Sequence, residues 1–208
     1  MSRDRIALAL TTTVDIEAVR RLHDYGDLDD AGVVRAFEQT RMQRYGHLVL
    51  PGYLRRLDGL TCIVDRGGDI HMLDIADDVD EGRMLDTLDR ALDGRAADTL
   101  VWQHDELGLL TTRALLNRRV LAPALCDGHP IALADTLFDG DDDEAAAAEA
   151  AMMTVYGLQP DRGTTAIRAA NRYRLWLGRE YSLGRISGAD HDTRIEALAA
   201  AVQAVAGR

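Results

Sequence analysis

Apolar and polar residues follow two different periodicities in the N-terminal part of the chain. Residues 5–13 form an apolar run rich in strand-forming residues, which predicts a buried strand. Asp15 is suited to cap a helix, because an acidic residue follows in the first turn and the next apolar residues have helical spacing. Residues 32–44 place Val33 and Phe37 on one face of a second predicted helix. This region therefore combines one strand with two helices.

The middle of the chain predicts a hairpin followed by alternating helices and strands. Two strands at 57–64 and 70–75 flank a turn at 65–69, whose paired glycines adopt positive φ at little cost. The elements expected after the hairpin are an amphipathic helix at 80–92, a strand at 99–102 and a helix at about 106–118. Strands that alternate with helices favour an α/β fold with a mixed sheet.

The last third of the chain is predicted to be mostly helical. An acidic run opens an alanine-rich helix that is closed by Gly157. Residues 164–177 and 192–205 have the spacing of two more helices. Because the chain has no internal repeat and no long linker, we expect one domain over residues 1–208, in which 139–208 form a helical remainder.

The charge of the chain changes which partners are expected. All 24 basic residues are arginine, and 35 acidic residues bring the formal net charge to −11. The apolar content excludes intrinsic disorder as the main state. The isoelectric point near 4.9 argues against a nucleic-acid-binding protein with a broad basic surface, but it leaves room for a local site. The absence of lysine is typical either of GC-rich coding or of adaptation to high salt.

The sequence also bears on the compartment. No apolar run approaches the ~18 residues that a membrane-spanning helix needs, and the N-terminus lacks the pattern of a signal peptide. Cys62 and Cys126 lie in apolar runs and are expected to be buried thiols, which suits a reducing compartment. We therefore expect a cytoplasmic protein without a membrane partner.

Three segments of the chain, taken together, resemble one enzyme family. The first segment is the opening strand with residues 14–22, the second is 50–60 with the hairpin that follows, and the third is spread over 100–115. In this order and spacing they resemble the predicted 3'-5' exonucleases related to the proofreading domain of family B DNA polymerases. The similarity covers residues from about 5 to 125. It implies a ribonuclease H-like fold of the DEDD group.

The resemblance implies metal-dependent cleavage of phosphodiester bonds. Two Mg²⁺ or Mn²⁺ ions, ~3.5–4 Å apart, would be held by four acidic side chains, while a Tyr or His orients the water. The family's first pair of carboxylates falls on Ala9 and Thr11, which cannot hold a metal as carboxylates do. In a slipped match Asp15 and Glu17 would form this pair, although residues i and i+2 of a helix do not face the same side.

Two further positions could supply metal ligands if the protein is active. The family's second motif falls on Glu106, with Asp105 beside it, and both could equally be polar residues at a helix start. The third motif falls on Asp192, but Gly188 stands where the family has its tyrosine, and His191 is adjacent to Asp192 instead of one helical turn away. The candidate catalytic and metal-binding residues are Asp15, Glu17, Glu106 and Asp192, with Asp105 as a further candidate metal ligand.

One segment, residues 168–185, concentrates arginine and aromatic side chains. Guanidinium groups and stacking rings suit a single-stranded 3' end of DNA or RNA. The alternative is an amphipathic helix in which Trp176 and Leu175 pack inward while arginines cover the rim. The candidate nucleic-acid-binding residues are Arg172, Arg174, Trp176 and Arg179.

Two functions remain open from the sequence. The first is an active 3'-5' exonuclease that uses Mg²⁺ or Mn²⁺. The second is a catalytically inactive pseudo-exonuclease, a scaffold that binds nucleic acid or a protein and needs no cofactor. The residues at Ala9 and Thr11 favour the second function. A homodimer with a structural role is a further alternative.

Overall fold

A five-stranded mixed sheet forms the centre of the part of the chain that the structure describes. The strands lie in the order β3-β2-β1-β4-β5, where β2 is antiparallel to β1 and β3, while β4 and β5 run parallel to β1. The strands are β1 (Asp4–Val14), β2 (Arg55–Arg66), β3 (Asp69–Ile75), β4 (Ala97–Val101) and β5 (His129–Ala132). The computed structural model describes residues 4–75, 79–92, 97–103, 105–122, 125, 128–137, 142–155 and 164–206.

Helices pack against both faces of this sheet. Side chains of α3 and α4 form the hydrophobic core on one face, and side chains of α7 and α8 form the core on the other face. The described helices are α1 (Ile16–Leu22), α2 (Asp30–Tyr45), α3 (Glu81–Leu92), α4 (Asp105–Leu116), α5 (Leu133–Leu137), α6 (Asp142–Val155), α7 (Thr165–Ser182) and α8 (Gly188–Ala206). A short 3₁₀ helix at Gly52–Leu54 precedes β2.

The central strand β1 is buried on both faces because its two sets of side chains serve two cores. Ile6, Leu8 and Leu10 face α3 and α4, whereas Ala7 and Ala9 face α7. Successive side chains of a strand point to opposite faces, so one apolar run supplies both layers. The small alanine side chains are on the face that α7 contacts. This arrangement brings α7 against the backbone of β1.

The main predictions from periodicity are confirmed. The predicted strand at 5–13 is β1, and the predicted hairpin is β2 with β3, joined by Gly67 and Gly68 at φ values of 68° and 105°. Asp15 caps α1 as expected, because its Oδ1 accepts a hydrogen bond of 3.0 Å from the backbone N–H of Ala18. The other predicted helices and the strand at β4 are present with shifted ends.

The edge of the sheet next to β4 differs from the sequence-based prediction. Sequence analysis predicts no element between residues 119 and 140, whereas the structure has β5 and the short helix α5 there. β5 has four residues and includes Pro130, and proline is tolerated in a strand only at an edge or its start. Four residues with a proline carry too short a pattern to separate a strand from a loop.

The architecture is α/β, with a mixed sheet flanked by helices and a mostly helical C-terminal third. Strand order and polarity fit a ribonuclease H-like arrangement. The predictions for Cys126, for the acidic run at 139–141 and for Gly157 fall outside the described residues. Among the described helices, none is long and apolar enough to cross a membrane.

Candidate functional site

Two clusters of buried arginine and carboxylate side chains lie near the carboxyl end of β1. In α/β sheets, ligands bind at the carboxyl ends of the parallel strands. A ligand site is therefore expected at this end of the sheet, here called its edge. One cluster is built around α7, and the other joins α3 to α4. The Arg172 cluster consists of Arg172, Arg168, Glu106 and Glu149. The Arg113 cluster consists of Arg113, Glu81, Asp15 and Asn117.

The end of β1 carries no carboxylate of its own in the expected ligand positions. Ala9 is fully buried in the core under α7, and Thr11 lies two residues further along, where the pairing of β1 with β2 is irregular. Thr11 borders a small cavity of about 350 Å³ together with Glu106, Glu149 and Arg168. The first pair of metal ligands that the resemblance implies is therefore missing from this edge.

Asp15 and Glu17, the alternative pair, point to different partners. Asp15 caps α1 with Oδ1, while its Oδ2 accepts a hydrogen bond of 2.9 Å from Nη2 of Arg113. Glu17 is exposed and forms an ion pair of 3.1 Å with Arg21 on the same helix. The structure does not bring the two carboxylates together, because a helix separates the faces of residues i and i+2.

Glu106 lies in the site, but its carboxylate is already bound. It is the second residue of α4, and its Oε2 accepts a hydrogen bond of 2.9 Å from the backbone N–H of Trp102. Both oxygens also accept hydrogen bonds of 2.9 Å from the guanidinium of Arg172. Asp105 is exposed at the start of the same helix, with its Oδ2 3.9 Å from Nη1 of Arg55. Glu106 is therefore bound within the Arg172 cluster, whereas Asp105 lies outside it.

The guanidinium of Arg172 is fully enclosed, and each of its five N–H groups has an acceptor. Nε and Nη2 donate to the two oxygens of Glu149 at 2.6 and 3.1 Å. Nη1 and Nη2 donate to Glu106, and Nη1 also donates to the backbone carbonyl of Leu8 in β1 at 2.6 Å. Arg168 adds a hydrogen bond of 3.2 Å to Oε2 of Glu149. Two arginines therefore balance two carboxylates.

The pKa values in this cluster follow from burial and charge. Burial alone would lower the pKa of Arg172, but the charges of Glu106 and Glu149 raise it above its ordinary value. Burial would raise the pKa of Glu149, and the neighbouring charges of Arg172 and Arg168 lower it below its ordinary range. Both shifts favour the charged forms, so the cluster keeps its ion pairs at neutral pH.

The residues at this edge do not fit a two-metal centre. Such a centre needs several carboxylate oxygens that converge on one space, and here the guanidinium of Arg172 occupies the space between Glu106 and Glu149. Within the described residues, no group of three or more His, Cys, Asp or Glu side chains could hold a metal ion. The described residues at this end of the sheet therefore offer no place for the two metal ions.

Asp192 lies away from this edge of the sheet. Its side chain is exposed on α8 and contacts the neighbouring His191, with 3.0 Å between Oδ1 and Nδ1. α8 packs against β3, and two strands separate β3 from β4 in the sheet. The structure does not bring Asp192 to Glu106. Gly188 is the first residue of α8, so the family's tyrosine has no counterpart there.

The arginine-rich segment is a packed helix in which two of the four candidate nucleic-acid-binding residues are buried. Arg172 is fully buried, and Trp176 is 3% exposed under the guanidinium of Arg5, whose Cζ lies 4.5 Å from the ring centroid. Neither side chain can stack on a nucleotide from this position. Arg179 forms an ion pair of 2.7 Å with Glu180, and Arg174 is half-buried. Trp176 and Leu175 pack inward as the amphipathic-helix alternative expects, but Arg172 lies inside the core and not at its rim.

The Arg113 cluster was not predicted as a site. Nε and Nη2 of Arg113 donate to the two oxygens of Glu81 at 2.8 and 2.6 Å, and Asn117 donates to Oε2 of Glu81 at 2.7 Å. The backbone N–H of Leu57 donates to Oε1 of Glu81 at 2.8 Å. Burial would lower the pKa of Arg113, but Glu81 and Asp15 raise it. The cluster ties β2, α3 and α4 together.

Sequence reasoning missed both arginine clusters because their members are far apart along the chain. One signal was visible for Glu149, a single acidic residue inside a run of alanines, where a surface helix would carry more charge. Arg113 and Glu81 carry no comparable signal, because each stands at an ordinary position of an amphipathic helix.

No family model matches the chain. No curated protein matches it, and no solved structure matches it.

Proposed function

We propose that this protein is a catalytically inactive, exonuclease-like module that binds a protein partner. The proposal starts from the resemblance of residues 5–125 to 3'-5' exonucleases and from the ribonuclease H-like order of the strands. One observation carries it: the guanidinium of Arg172 lies between Glu106 and Glu149, at the edge of the sheet where the resemblance requires metal ions.

The charge of this guanidinium is permanent, which supports loss of the metal-dependent reaction. Arginine does not deprotonate in proteins, so a divalent ion could use Glu106 only by displacing Arg172. Removing one partner of a buried ion pair costs about 3–5 kcal/mol because it leaves an uncompensated charge. Because Ala9 and Thr11 carry no carboxylate, they would supply no ligand that compensates for this cost.

The surface of the protein supports a protein partner over a nucleic acid. The net charge of −11 repels phosphates, and Arg172 is occupied inside the molecule. By contrast, the segment after the middle of α2 exposes five large apolar side chains, and exposed aromatic, Met and Arg side chains are typical of interfaces. These residues are Met42, Tyr45, Leu48, Val49 and Tyr53.

The apolar segment is held in a defined conformation. Arg41 donates a hydrogen bond of 2.6 Å from Nη2 to the backbone carbonyl of Val49, and its guanidinium lies 4.8 Å from the ring centroid of Tyr45. A surface that is already ordered loses less entropy when it binds. This supports the 42–53 segment as the contact surface of the proposed module.

The first experiment tests the loss of activity. End-labelled single-stranded DNA and RNA are incubated with the full chain in Mg²⁺ or Mn²⁺, and we expect no shortening. Shortening that disappears in both Asp105→Asn and Asp192→Asn would contradict the proposal and support the active exonuclease. Both carboxylates are exposed, so these variants change ligand chemistry without disturbing the core.

The second experiment tests the binding surface. Val49→Asp puts a charge in the apolar segment, and Leu183→Asp, an exposed apolar residue at the end of α7, is the matched control. Partners cross-linked to the protein in its native host are compared between the variants. We expect Val49→Asp to lose a protein partner that Leu183→Asp keeps. Equal recovery, or recovery of nucleic acid alone, would contradict the proposal.

A further inference from the structure

The 42–53 segment lies within a basic stretch of an otherwise acidic chain. Residues 31–57 contain five arginines and one acidic residue, Glu38, so their formal net charge is +4. Because the whole chain carries −11, the other residues together carry −15. The five arginines are Arg35, Arg41, Arg44, Arg55 and Arg56. The exposed apolar side chains are therefore surrounded in the sequence by positive charge.

The arginines of this basic stretch are not balanced by carboxylates. In the other arginine-rich segment, 168–185, four of the five arginines form ion pairs with Glu106, Glu149 or Glu180. In residues 31–57, the only ion pair formed with another described residue joins Arg55 to Asp105 at 3.9 Å. Exposed side chains with no carboxylate partner in the described part of the chain are those of Arg35, Arg44 and Arg56.

Two of these arginines share α2 with exposed apolar side chains. Arg35 and Met42 are seven residues apart, which places them on one face of the helix. In the last turn, the guanidinium of Arg41 lies 4.8 Å from the ring centroid of Tyr45. Arg44 is exposed in the same turn. Positive and apolar groups therefore alternate along the exposed part of this helix.

The chain after α2 returns to the same helix. Gly46 ends α2 with a φ of 75°, and Leu54 packs with Val33 of α2 in one hydrophobic core. Val49 lies in this return, where its backbone carbonyl accepts a hydrogen bond of 2.6 Å from Arg41. Its exposed side chain is thus held beside the basic end of the helix.

A partner for this surface needs both apolar side chains and negative charge. Burial of exposed apolar side chains is favourable only against other apolar groups, and guanidinium groups match carboxylates. A nucleic acid supplies phosphates but offers little apolar surface to Leu48 and Val49, and the −15 of the remaining chain repels a long polyanion. A short acidic protein segment with large apolar side chains meets both conditions.

We infer that the partner binds the 42–53 segment through an acidic segment that also carries large apolar side chains. This inference rests on the proposed function, because it specifies the chemistry of the partner that the function requires. The carboxylates of the partner pair with Arg35 and Arg44, and its apolar side chains pack on Met42 and Val49. Opposite charge also steers the encounter and disfavours basic proteins.

Short random peptides displayed on phage supply the probe for a first test. They are selected on the full chain, and we expect the enriched peptides to have a negative net charge together with aromatic or aliphatic residues. The same peptides should bind Val49→Asp at least roughly tenfold more weakly. Absence of enrichment, enrichment without an excess of acidic residues, or unchanged binding to Val49→Asp would each overturn the inference.

A charge reversal then locates the carboxylates of the peptide. An enriched peptide is synthesised and titrated by fluorescence anisotropy, and Arg44→Glu should bind it at least roughly tenfold more weakly. Arg83→Glu makes the same change of charge at a side chain of α3 that is 81% exposed, and should bind as the unchanged protein does. Melting curves establish that both variants are folded. Unchanged affinity in Arg44→Glu, or an equal loss in both variants, would overturn the inference.

Other occupants of the surface give different results. Displacement of the peptide by single-stranded DNA would assign the surface to a nucleic acid, and self-association that Val49→Asp abolishes would assign it to a second copy of the chain; either result overturns the inference. A cross-linked protein partner that Val49→Asp loses and Arg44→Glu keeps would support the proposed function while overturning this inference. A partner that both variants keep would contradict both.

Discussion

The Arg172 and Arg113 clusters contain the same kinds of side chain but differ in how completely the hydrogen-bond donors of the arginine are satisfied. Each contains one arginine that is at least 96% buried and is held by two carboxylates. All five N–H groups of Arg172 have acceptors, whereas Nη1 of Arg113 has none among the described residues. A buried ion pair in which every group has a partner stabilises a structure, whereas one with an unsatisfied donor loses part of that stabilisation to the desolvation of the donor.

The difference comes from what closes each cluster. The backbone carbonyl of Leu8 and the side chain of Glu149 complete the surroundings of Arg172, because α6 and α7 cover this end of β1. On the other face, the corresponding space beside Arg113 is a cavity of about 800 Å³. Because α6 and α7 cover the Arg172 cluster, this cluster is part of the hydrophobic core, whereas the Arg113 cluster borders a cavity.

The largest effect is expected from removing the guanidinium of the closed cluster. Arg172→Met leaves Glu106 and Glu149 buried without a counter-charge, which should cost about 3–5 kcal/mol of the free energy of unfolding. Urea denaturation followed by circular dichroism measures this. If the variant does not fold, the triple variant with Glu106→Gln and Glu149→Gln should recover folding. A loss below about 1 kcal/mol would refute the structural role of the cluster.

A smaller loss is expected when the same change is made in the open cluster. Arg113→Met leaves Glu81 and Asp15 without their partner but also removes the unsatisfied Nη1. The loss should therefore be about 1–3 kcal/mol smaller than for Arg172→Met in the same urea titration. Equal losses would mean that Nη1 is satisfied, for example by an ordered water.

Acidification should weaken the closed cluster through Glu149. Its pKa in the folded protein lies below the ordinary value of 4.5, so its ion pairs stabilise the folded state at neutral pH. This stabilisation is lost as the pH falls below about 4.5 and through the folded pKa. The free energy of unfolding, measured between neutral and acidic pH, should fall less steeply in Glu149→Gln. If the free energy of unfolding fell equally steeply with pH in the unchanged protein and in Glu149→Gln, the stabilising role of the Glu149 ion pairs would be contradicted.

The smallest effect is expected at the border of the open cluster. Asn117→Ala removes two hydrogen bonds donated by Nδ2, one of 2.7 Å to Oε2 of Glu81 and one of 2.9 Å to the backbone carbonyl of Arg113, and each should contribute about 0.5–1.5 kcal/mol. Glu81 keeps its bonds to Arg113 and to the backbone of Leu57. The same denaturation measurement checks this, and a loss as large as that of Arg113→Met would show that Asn117 organises the cluster.

Local patterns account for the parts of the fold that sequence analysis predicted. The strand β1, the hairpin with Gly67 and Gly68, and the cap at Asp15 each depend on residues within a few positions of one another. The edge strand β5 was missed because Pro130 and its short length hide its pattern.

The candidate site was predicted only in part. Sequence analysis singled out Glu106, Asp15 and Arg172, and the structure places them in buried clusters, although not as the four carboxylates of one centre. Glu17, Asp105 and Asp192 are exposed and do not join them. The spacing of residues along the sequence shows which of them share one face of a helix, but it does not show which other helix packs against that face.

The sequence by itself determined the periodicities, the helix cap, the hairpin and the excess of acidic over basic residues, because these depend on neighbouring residues or on composition. Tertiary structure alone decided that Arg172 reaches the carbonyl of Leu8, 164 residues earlier in the chain, and that Arg113 reaches Asp15 across 98 residues. Such contacts depend on how α4 and α7 pack on the two faces of β1. That packing closes one cluster and leaves a cavity beside the other.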